Sequence, residues 1–579
     1  MSGPTYILGI HDGHNCGASL SCNGKIIAST SEERLSRKKN EVGYPAKSIA
    51  EVLRLGGIDA AELSAVSYAS LFMHEESYLT ELEGWYCVGI EEQRADFAKP
   101  RSYQKVIFEQ RKTERLKVIC KDIGIDKDKV SFVEHHLAHL AAAYYTSHNI
   151  APCQKALGLT CDGAGDGLAG SVSICHGNEI RRIGKIDRHA SLGKIYSRVT
   201  MLLGMTPWEH EYKLMGMAPY ADPERVNAAA NVFRNLLTLP QDALGFKQAS
   251  ELSMNYCYNS LRESFERVRF DTIAGAIQLF TEEMLIKWVR SCIKQTGISD
   301  IVAGGGVFMN VKANMLIAQM PEVTSFYVMP SGADESLSIG ACLHTYYNGT
   351  DKKDHTDSIF KNLYLGRSFS KKEEQIAIEN QCGADIEVNE LDNVDIKVAE
   401  LLANDEIVAR SSGPMEWGAR ALGNRSILAS GHDYRVVDQL NQAIKQRDFW
   451  MPFAPSIRME SACRYLEDPK SIKPYFMTHT FQASTEGIDH LAAGTHPRDH
   501  TIRAQVVTKN ANLGYHRLLS SFEERTGRGG LVNTSFNLHG EPIVYSPEDA
   551  IRVLQKSGLQ HLALGHFLLK KPHSMSPKV

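Results

Sequence analysis

Short, mostly apolar runs over residues 6–10, 17–20 and 25–28, set between polar and turn residues, predict three short strands. Cys22-Asn-Gly24 joins the last two, and Asn-Gly is a hairpin signal because both central residues of such a turn need positive φ. A second set of strands is predicted at 156–160, 171–174 and 179–183. Two strand-rich openings, each followed by helices and further strands, predict an α/β chain that begins with a duplicated, two-lobed domain. Residues 271–296 carry the 3.6-residue period of a long amphipathic helix. The run 134–145, Glu-His-His-Leu-Ala-His-Leu-Ala-Ala-Ala-Tyr-Tyr, predicts another helix. The polar stretch 348–360 marks a boundary, so the domains are expected at 1–355 and 356–579. No period indicates a solenoid or propeller.

A length of 579 residues calls for two or three domains, and 43% apolar residues suffice for large cores. No run of eighteen or so apolar residues suggests a membrane span. The N-terminus lacks a basic n-region, so no signal peptide is expected. A net charge of −4 with both signs interspersed argues against a large nucleic-acid surface. Twelve cysteines occur without a Cys-x-x-Cys pair, which predicts a reduced, cytoplasmic protein and excludes a zinc ribbon or disulfide scaffold.

The chemistry begins with His135 and His139, whose i to i+4 spacing puts two imidazoles on one helix face. Such a pair can hold a metal when other elements bring further ligands. Asp162 and Asp166 in Asp162-Gly-Ala-Gly-Asp-Gly167, and Asp334 in Ser331-Gly-Ala-Asp334, are the candidates. Between them Gly304-Gly-Gly306 follows an apolar run, where backbone N–H groups are expected to meet a phosphate. A metal beside a phosphate cradle points to a nucleotide-handling enzyme. Downstream, Trp417-Gly-Ala-Arg-Ala-Leu-Gly-Asn-Arg-Ser426, Lys445-Gln-Arg447 and Asn533-Thr-Ser-Phe-Asn537 form a second group of motifs. Arg420, Arg425, Lys445, Arg447 and Arg503 supply five cations there, suited to bound phosphates.

Gly9-Ile-His-Asp-Gly-His14, Ser31-Glu-Glu-Arg-Leu-Ser-Arg37, Tyr212-Lys-Leu-Met-Gly-Met-Ala-Pro-Tyr220 and Gly304-Gly-Gly-Val-Phe-Met-Asn310 resemble motifs of the ATP-dependent O-carbamoyltransferases. That family includes enzymes of antibiotic biosynthesis and the nodulation-type carbamoyltransferases. The resemblance implies an N-terminal actin-like domain, shared with the threonylcarbamoyl-transferases of tRNA modification, and a C-terminal YrdC-like domain. It implies His135, His139, Asp162 and Asp334 as metal ligands, with iron(II) as the ion and magnesium accompanying ATP. His14, Lys445 and Arg420 are the implied catalytic residues, His14 acting as general base toward the acceptor hydroxyl. Lys445, Arg447, Ser535 and Asn537 are implied to bind ATP, together with Gly304, Gly305, Gly306, Asn310, Lys213 and Gly216. Arg420, Arg425 and Arg503 are implied to bind carbamoyl phosphate.

Two positions depart from the family pattern. Asn15 stands where an aspartate usually follows the histidine, so Asp12 is the expected substitute partner for His14, and Met451 stands where an arginine is common. The expected reaction is activation of carbamoyl phosphate with ATP, then transfer to a hydroxylated natural product. The expected protein is a cytoplasmic homodimer that engages no nucleic acid and no membrane. The acceptor pocket is expected in loops such as 72–112, where Trp85, Tyr86 and Tyr103 could stack on a ring. A rival reading is an actin-like small-molecule kinase, since Asp162-Gly-Ala-Gly-Asp-Gly167 also suits phosphate and magnesium. The modest charge argues against a tRNA-modification component, the lack of Cys-x-x-Cys motifs against a hydrogenase-maturation component, and a nucleotide-binding scaffold would need both sites to be inactive.

Overall fold

The first hairpin forms as its turn chemistry dictates: Asn23 and Gly24 take φ of 52° and 83°. It joins strands Gly17–Cys22 (β2) and Lys25–Ser31 (β3), which lie beside Tyr6–His11 (β1). Leu63–Ala69 (β4) and Val130–Val133 (β5) complete a five-stranded sheet in the order β3-β2-β1-β4-β5. In this computed structural model, which describes residues 3–73, 89–99, 101–151, 154–350, 354–445 and 447–572, the pattern then repeats. Ala156–Gly165 (β6), Leu168–His176 (β7), Glu179–Asp187 (β8), Asp300–Gly304 (β9) and Ser325–Val328 (β10) form a second sheet ordered β8-β7-β6-β9-β10. In each sheet the first three strands pair antiparallel and the last two add in parallel. This duplicated order is the arrangement of the actin-like fold.

The chain divides into two units, Met1–Glu32 with Asn40–Phe360, and Glu33–Lys39 with Lys361–Val579. In the first unit, one face of the first sheet buries Leu8, Ile10, Leu20, Val52, Val66 and Tyr68. The other face meets helix Leu337–Asn348, where a side chain on Gly9 would run into the Ser338 carbonyl at 2.0 Å. That helix packs on helix His135–Thr146 equally closely, since a Cβ on Gly340 would lie 1.8 Å from the Ala138 carbonyl oxygen. Glycine at 340 thus lets two backbones touch, and it draws Ser336 up to His139. The long helix runs Phe270–Thr296 and ends on Gly297 at φ 69°.

The second unit holds an eight-stranded mixed sheet. Its strands are Glu387–Glu390 (β11), Val408–Ser411 (β12), Arg425–Ala429 (β13), Ala454–Arg458 (β14), Gln505–Val507 (β15), Gly530–Ser535 (β16), His561–Leu564 (β17) and Phe567–Lys570 (β18). Their order is β11-β18-β17-β12-β13-β16-β14-β15. Neighbours in sequence enter opposite cores: Ala409, Ile427, Val532 and Leu562 face one, while Val408, Leu428, Leu531 and Ala563 face the other. Both faces are therefore buried, which explains why these strands read as continuous apolar runs rather than alternation.

One expectation is corrected here. Residues 72–112 are not all loop, because Ile90–Phe97 and Arg101–Ile123 are helices. Trp85, Tyr86 and the side chain of Tyr103 lie outside the described residues.

Candidate active sites

The first site sits where β5, β6 and β10 end. Glu134 closes β5's turn into the helix by accepting the Leu137 N–H at 2.8 Å, so the helix starts at His135. His135 and His139 then point one way, and Asp162 from β6 and Asp334 from the turn after β10 meet them. One ligand atom from each of the four lies within 4.8 Å of the others. His135 Nε2 is 3.0 Å from Asp162 Oδ2, and His139 Nε2 is 3.5 Å from Asp334 Oδ1. His139 is fully buried while Asp334 keeps a quarter of its side chain exposed, so the cluster opens on the Asp334 side. Gly165 is required here, because a Cβ would lie 2.1 Å from the His135 ring.

The far side of each imidazole is also held. Ser70 Oγ contacts His135 Nδ1 at 3.0 Å, and Ser336 Oγ contacts His139 Nδ1 at 3.2 Å. Such outer partners fix the tautomer and turn Nε2 inward. Burial works against charge on His135, yet the Asp162 hydrogen bond and the neighbouring carboxylates push its pKa up to about 9. His139 is raised for the same reasons. Burial alone would raise Asp162, but hydrogen bonds from His135 and His139 hold it well below the carboxylate range. Two imidazoles and two carboxylates suit a divalent transition metal, and this set fits one. His136, between the two histidines, serves the fold instead: Thr160 Oγ1 and the Leu168 carbonyl take its nitrogens at 3.0 and 3.1 Å.

Two aspartates of the sequence reading are placed otherwise. Asp166 accepts the N–H groups of Leu71, Phe72 and His135 at 2.8, 3.0 and 2.8 Å, so it orders the turn and is no ligand. Asp12 forms a two-pronged ion pair with buried Arg115 at 2.8 and 3.0 Å, rather than partnering His14. The His14 ring packs on Trp208 at 4.6 Å between centroids, a neighbour no motif announced. Trp208 takes φ 67°, and Glu211 Oε1 accepts its N–H at 2.7 Å.

The glycine triplet also has a packing role. Gly305 N–H donates to the Gly332 carbonyl and Gly306 N–H to Asp162 Oδ1, at 2.8 and 2.9 Å. Cβ atoms at 304, 305 and 306 would meet His139, Cys161 and Asp162. Asn310 caps the next helix through the Ala313 N–H and exchanges amide hydrogen bonds with Gln278. Lys213 and Gly216 lie on helix Glu211–Met217.

The second site is assembled around Lys445, which is 4% exposed at the end of a π-helical turn, Asn441–Lys445. Its Nζ donates to the Ser535 carbonyl, to Ser535 Oγ at 3.1 Å and to Asn537 Oδ1 at 2.9 Å. Burial, then Arg447 and Lys39, hold its pKa well below the usual lysine range. Arg447 reaches Thr534 Oγ1 at 3.1 Å and stacks over Phe453. Arg420 sits in the loop before β13, and Arg503 just before β15. Gln505 donates to the Leu422 carbonyl at 2.9 Å, tying that loop to β15.

Arg425 departs from the expected role in phosphate binding. It is 1% exposed, and its guanidinium faces the carbonyls of Gly413, Asn424 and Tyr545 at 3.1, 3.0 and 3.4 Å. Its charge organises the loop. Glu416, which sequence reasoning passed over, does the same from the other side. One of its oxygens accepts the N–H groups of Leu422, Asn424 and Arg425.

Comparison with known proteins agrees with this two-part construction. Residues 6–343 match the family model "Carbamoyltransferase N-terminus", and residues 399–571 match "Carbamoyltransferase C-terminus". Nodulation protein NolNO of Sinorhizobium fredii is 29% identical over 571 residues, covering 97% of this chain and 79% of that protein. The 3'-hydroxymethylcephem-O-carbamoyltransferase of Streptomyces clavuligerus is 30% identical over 360 residues, covering 61% of this chain and 63% of that enzyme. A crystal structure of HypF in its phosphate- and nucleotide-bound form overlaps 60% of this chain and 56% of that one, with 13% identity and a TM-score of 0.30. With both halves of the chain matched in order, the protein belongs to the carbamoyltransferase family and is a transferase enzyme.

Proposed function

We propose that the protein is an ATP-dependent O-carbamoyltransferase working in two half-reactions. In the YrdC-like second unit, ATP and carbamoyl phosphate give carbamoyl-adenylate. For atoms to balance, water hydrolyses carbamoyl phosphate to carbamate and phosphate, and a carbamate oxygen then displaces pyrophosphate from the α-phosphorus of ATP. In the first unit, an acceptor hydroxyl attacks the carbamoyl carbon and AMP leaves. The observation that carries the reading is the meeting of Lys445 with Ser535 and Asn537, ninety residues downstream, in one buried site. A buried lysine whose charge is disfavoured by two further cations gains most from an anion, and a triphosphate supplies one. Arg447 shares that load, while Arg420 and Arg503 take carbamoyl phosphate.

In the first unit His135, His139, Asp162 and Asp334 hold a divalent ion, iron(II) in our reading. When bound, that ion supplies Lewis acidity toward an oxygen. His14, with its ring set by Trp208, takes the proton of the attacking hydroxyl. Gly304, Gly305, Gly306, Asn310, Lys213 and Gly216 line the path of the AMP portion. The acceptor is a hydroxylated natural product, a reading supported by the hydroxymethyl acceptor named in the cephem relative. A cytoplasmic setting suits ten described cysteines that are all free, and we assign a homodimer on the base rate for oligomers.

The kinase alternative leaves the second unit and its cation cluster, where residues 399–571 match a carbamoyltransferase C-terminus, without a role. Lys445→Ala tests the proposal. Pyrophosphate release dependent on carbamoyl phosphate should vanish in that variant, and a variant that still releases it would overturn the assignment.

A further inference from the structure

His11 ends β1 and is 1% exposed. It belongs to no ligand set drawn from the sequence, yet its Nε2 lies 3.0 Å from the carbonyl oxygen of His14. A carbonyl only accepts, so Nε2 carries the proton and donates it. The same nitrogen is 3.8 Å from Asp334 Oδ2. Its other nitrogen, Nδ1, is buried with no hydrogen-bond partner among the described residues. A leucine would fill such a place without leaving a polar atom unpaired, so packing alone does not account for an imidazole. Room for the ring is made by Gly13, where a Cβ would lie 2.8 Å from His11 Cε1.

We propose that His11 is a positioning residue, whose single Nε2–H fixes the backbone of His14 relative to the carboxylate of Asp334. The base and one wall of the metal cluster come from segments far apart in sequence, and this N–H faces both. The proposal rests on the function proposed above and deepens it, because it says how the base is held in register with the ligand cluster.

Glutamine and asparagine separate this role from packing. The Gln amide nitrogen reaches the position of histidine Nε2, whereas the shorter Asn amide reaches only that of Nδ1. Both are polar and of acceptable size, so His11→Gln and His11→Asn are compared after equal thermal melts confirm folding. The first readout is Co(II) affinity by chelator competition, with the cobalt absorption spectrum. The second is kcat for carbamoyl transfer against pyrophosphate release. We expect His11→Asn to weaken Co(II) binding about tenfold or more, in the range seen for outer partners of metal ligands. Its spectrum should shift and transfer should slow, while pyrophosphate release stays unchanged. His11→Gln should restore both within a few-fold. If the wild type binds Co(II) and both variants match it in affinity, spectrum and transfer, the positioning role is wrong. If the wild type binds no Co(II), the proposal falls together with the metal reading on which it rests.

Discussion

His135 Nε2 and His139 Nε2 lie 3.2 Å apart, a separation that two bare lone pairs do not favour. Ser336 Oγ gives its one proton to the Ala333 carbonyl at 2.8 Å, so it must accept from His139 Nδ1–H. Neutral His139 therefore turns an unprotonated Nε2 toward its neighbour. A cation between the rings, either a proton or a metal, relieves this arrangement, and two carboxylates complete its surroundings. The pair is built around a positive charge.

That competition between proton and metal sets a pH dependence. His135 titrates near 9 in the metal-free fold, above its ordinary value of about 6.5. Its contribution to stability is thus fully present below about 6.5 and is lost as pH rises through about 9. Thermal melts of the metal-free protein should fall across this window, and saturating Co(II) should flatten the fall. Apparent metal affinity should rise with pH over the same range, with protons released on binding. A metal-free melting temperature that does not change from pH 6.5 to 9 would contradict the raised His135.

His139→Ala separates the half-reactions. Carbamoyl transfer should be lost, and pyrophosphate release with ATP and carbamoyl phosphate should remain near the wild-type rate. Loss of both activities in a protein with an unchanged melt would show that the cluster also serves adenylate formation.

His14→Gln should lower transfer kcat by about 10²–10⁴-fold, the usual worth of a general base, and leave Co(II) affinity unaltered. Trp208→Ala should cost less, about two- to tenfold in kcat, from the 0.5–1.5 kcal/mol that an aromatic pair contributes. Trp208→Phe should recover most of that loss. Steady-state kinetics of the three variants checks the order.

Glu416→Ala leaves three backbone N–H groups without their acceptor in a site that is 2% exposed. Urea unfolding should show the second unit destabilised by about 1–3 kcal/mol or more. The KM for carbamoyl phosphate should rise as the Arg420 loop loosens.

Local chemistry made part of this structure legible in the sequence. The Asn23-Gly24 hairpin, the helix that begins at His135 and the long helix ending before Gly297 each carry their signal within a few residues. The motifs offered His135, His139, Asp162, Asp166 and Asp334 as metal candidates, and the family resemblance narrowed them to the four whose ligand atoms lie within 4.8 Å of one another, without Asp166. Roles that depend on distant partners were hidden. Asp12 looked available to His14 until Arg115, on a helix far downstream, took its carboxylate. Arg425 looked like a phosphate ligand because burial against carbonyls leaves no trace in a motif rich in glycine. His11 stood in the Gly9–His14 motif without a role of its own, and only the fold brings Asp334 beside it. Strand ends were read short for a similar reason. Gly165 extends β6 by pairing with Leu168 of β7 beyond an irregularity that follows Cys161, although glycine does not favour a strand alone.

The most direct measurement is the nucleotide product formed by the purified protein, with and without carbamoyl phosphate, resolving AMP and pyrophosphate from ADP. The account predicts AMP and pyrophosphate only when carbamoyl phosphate is present. ADP formed at the same rate in its absence would contradict it.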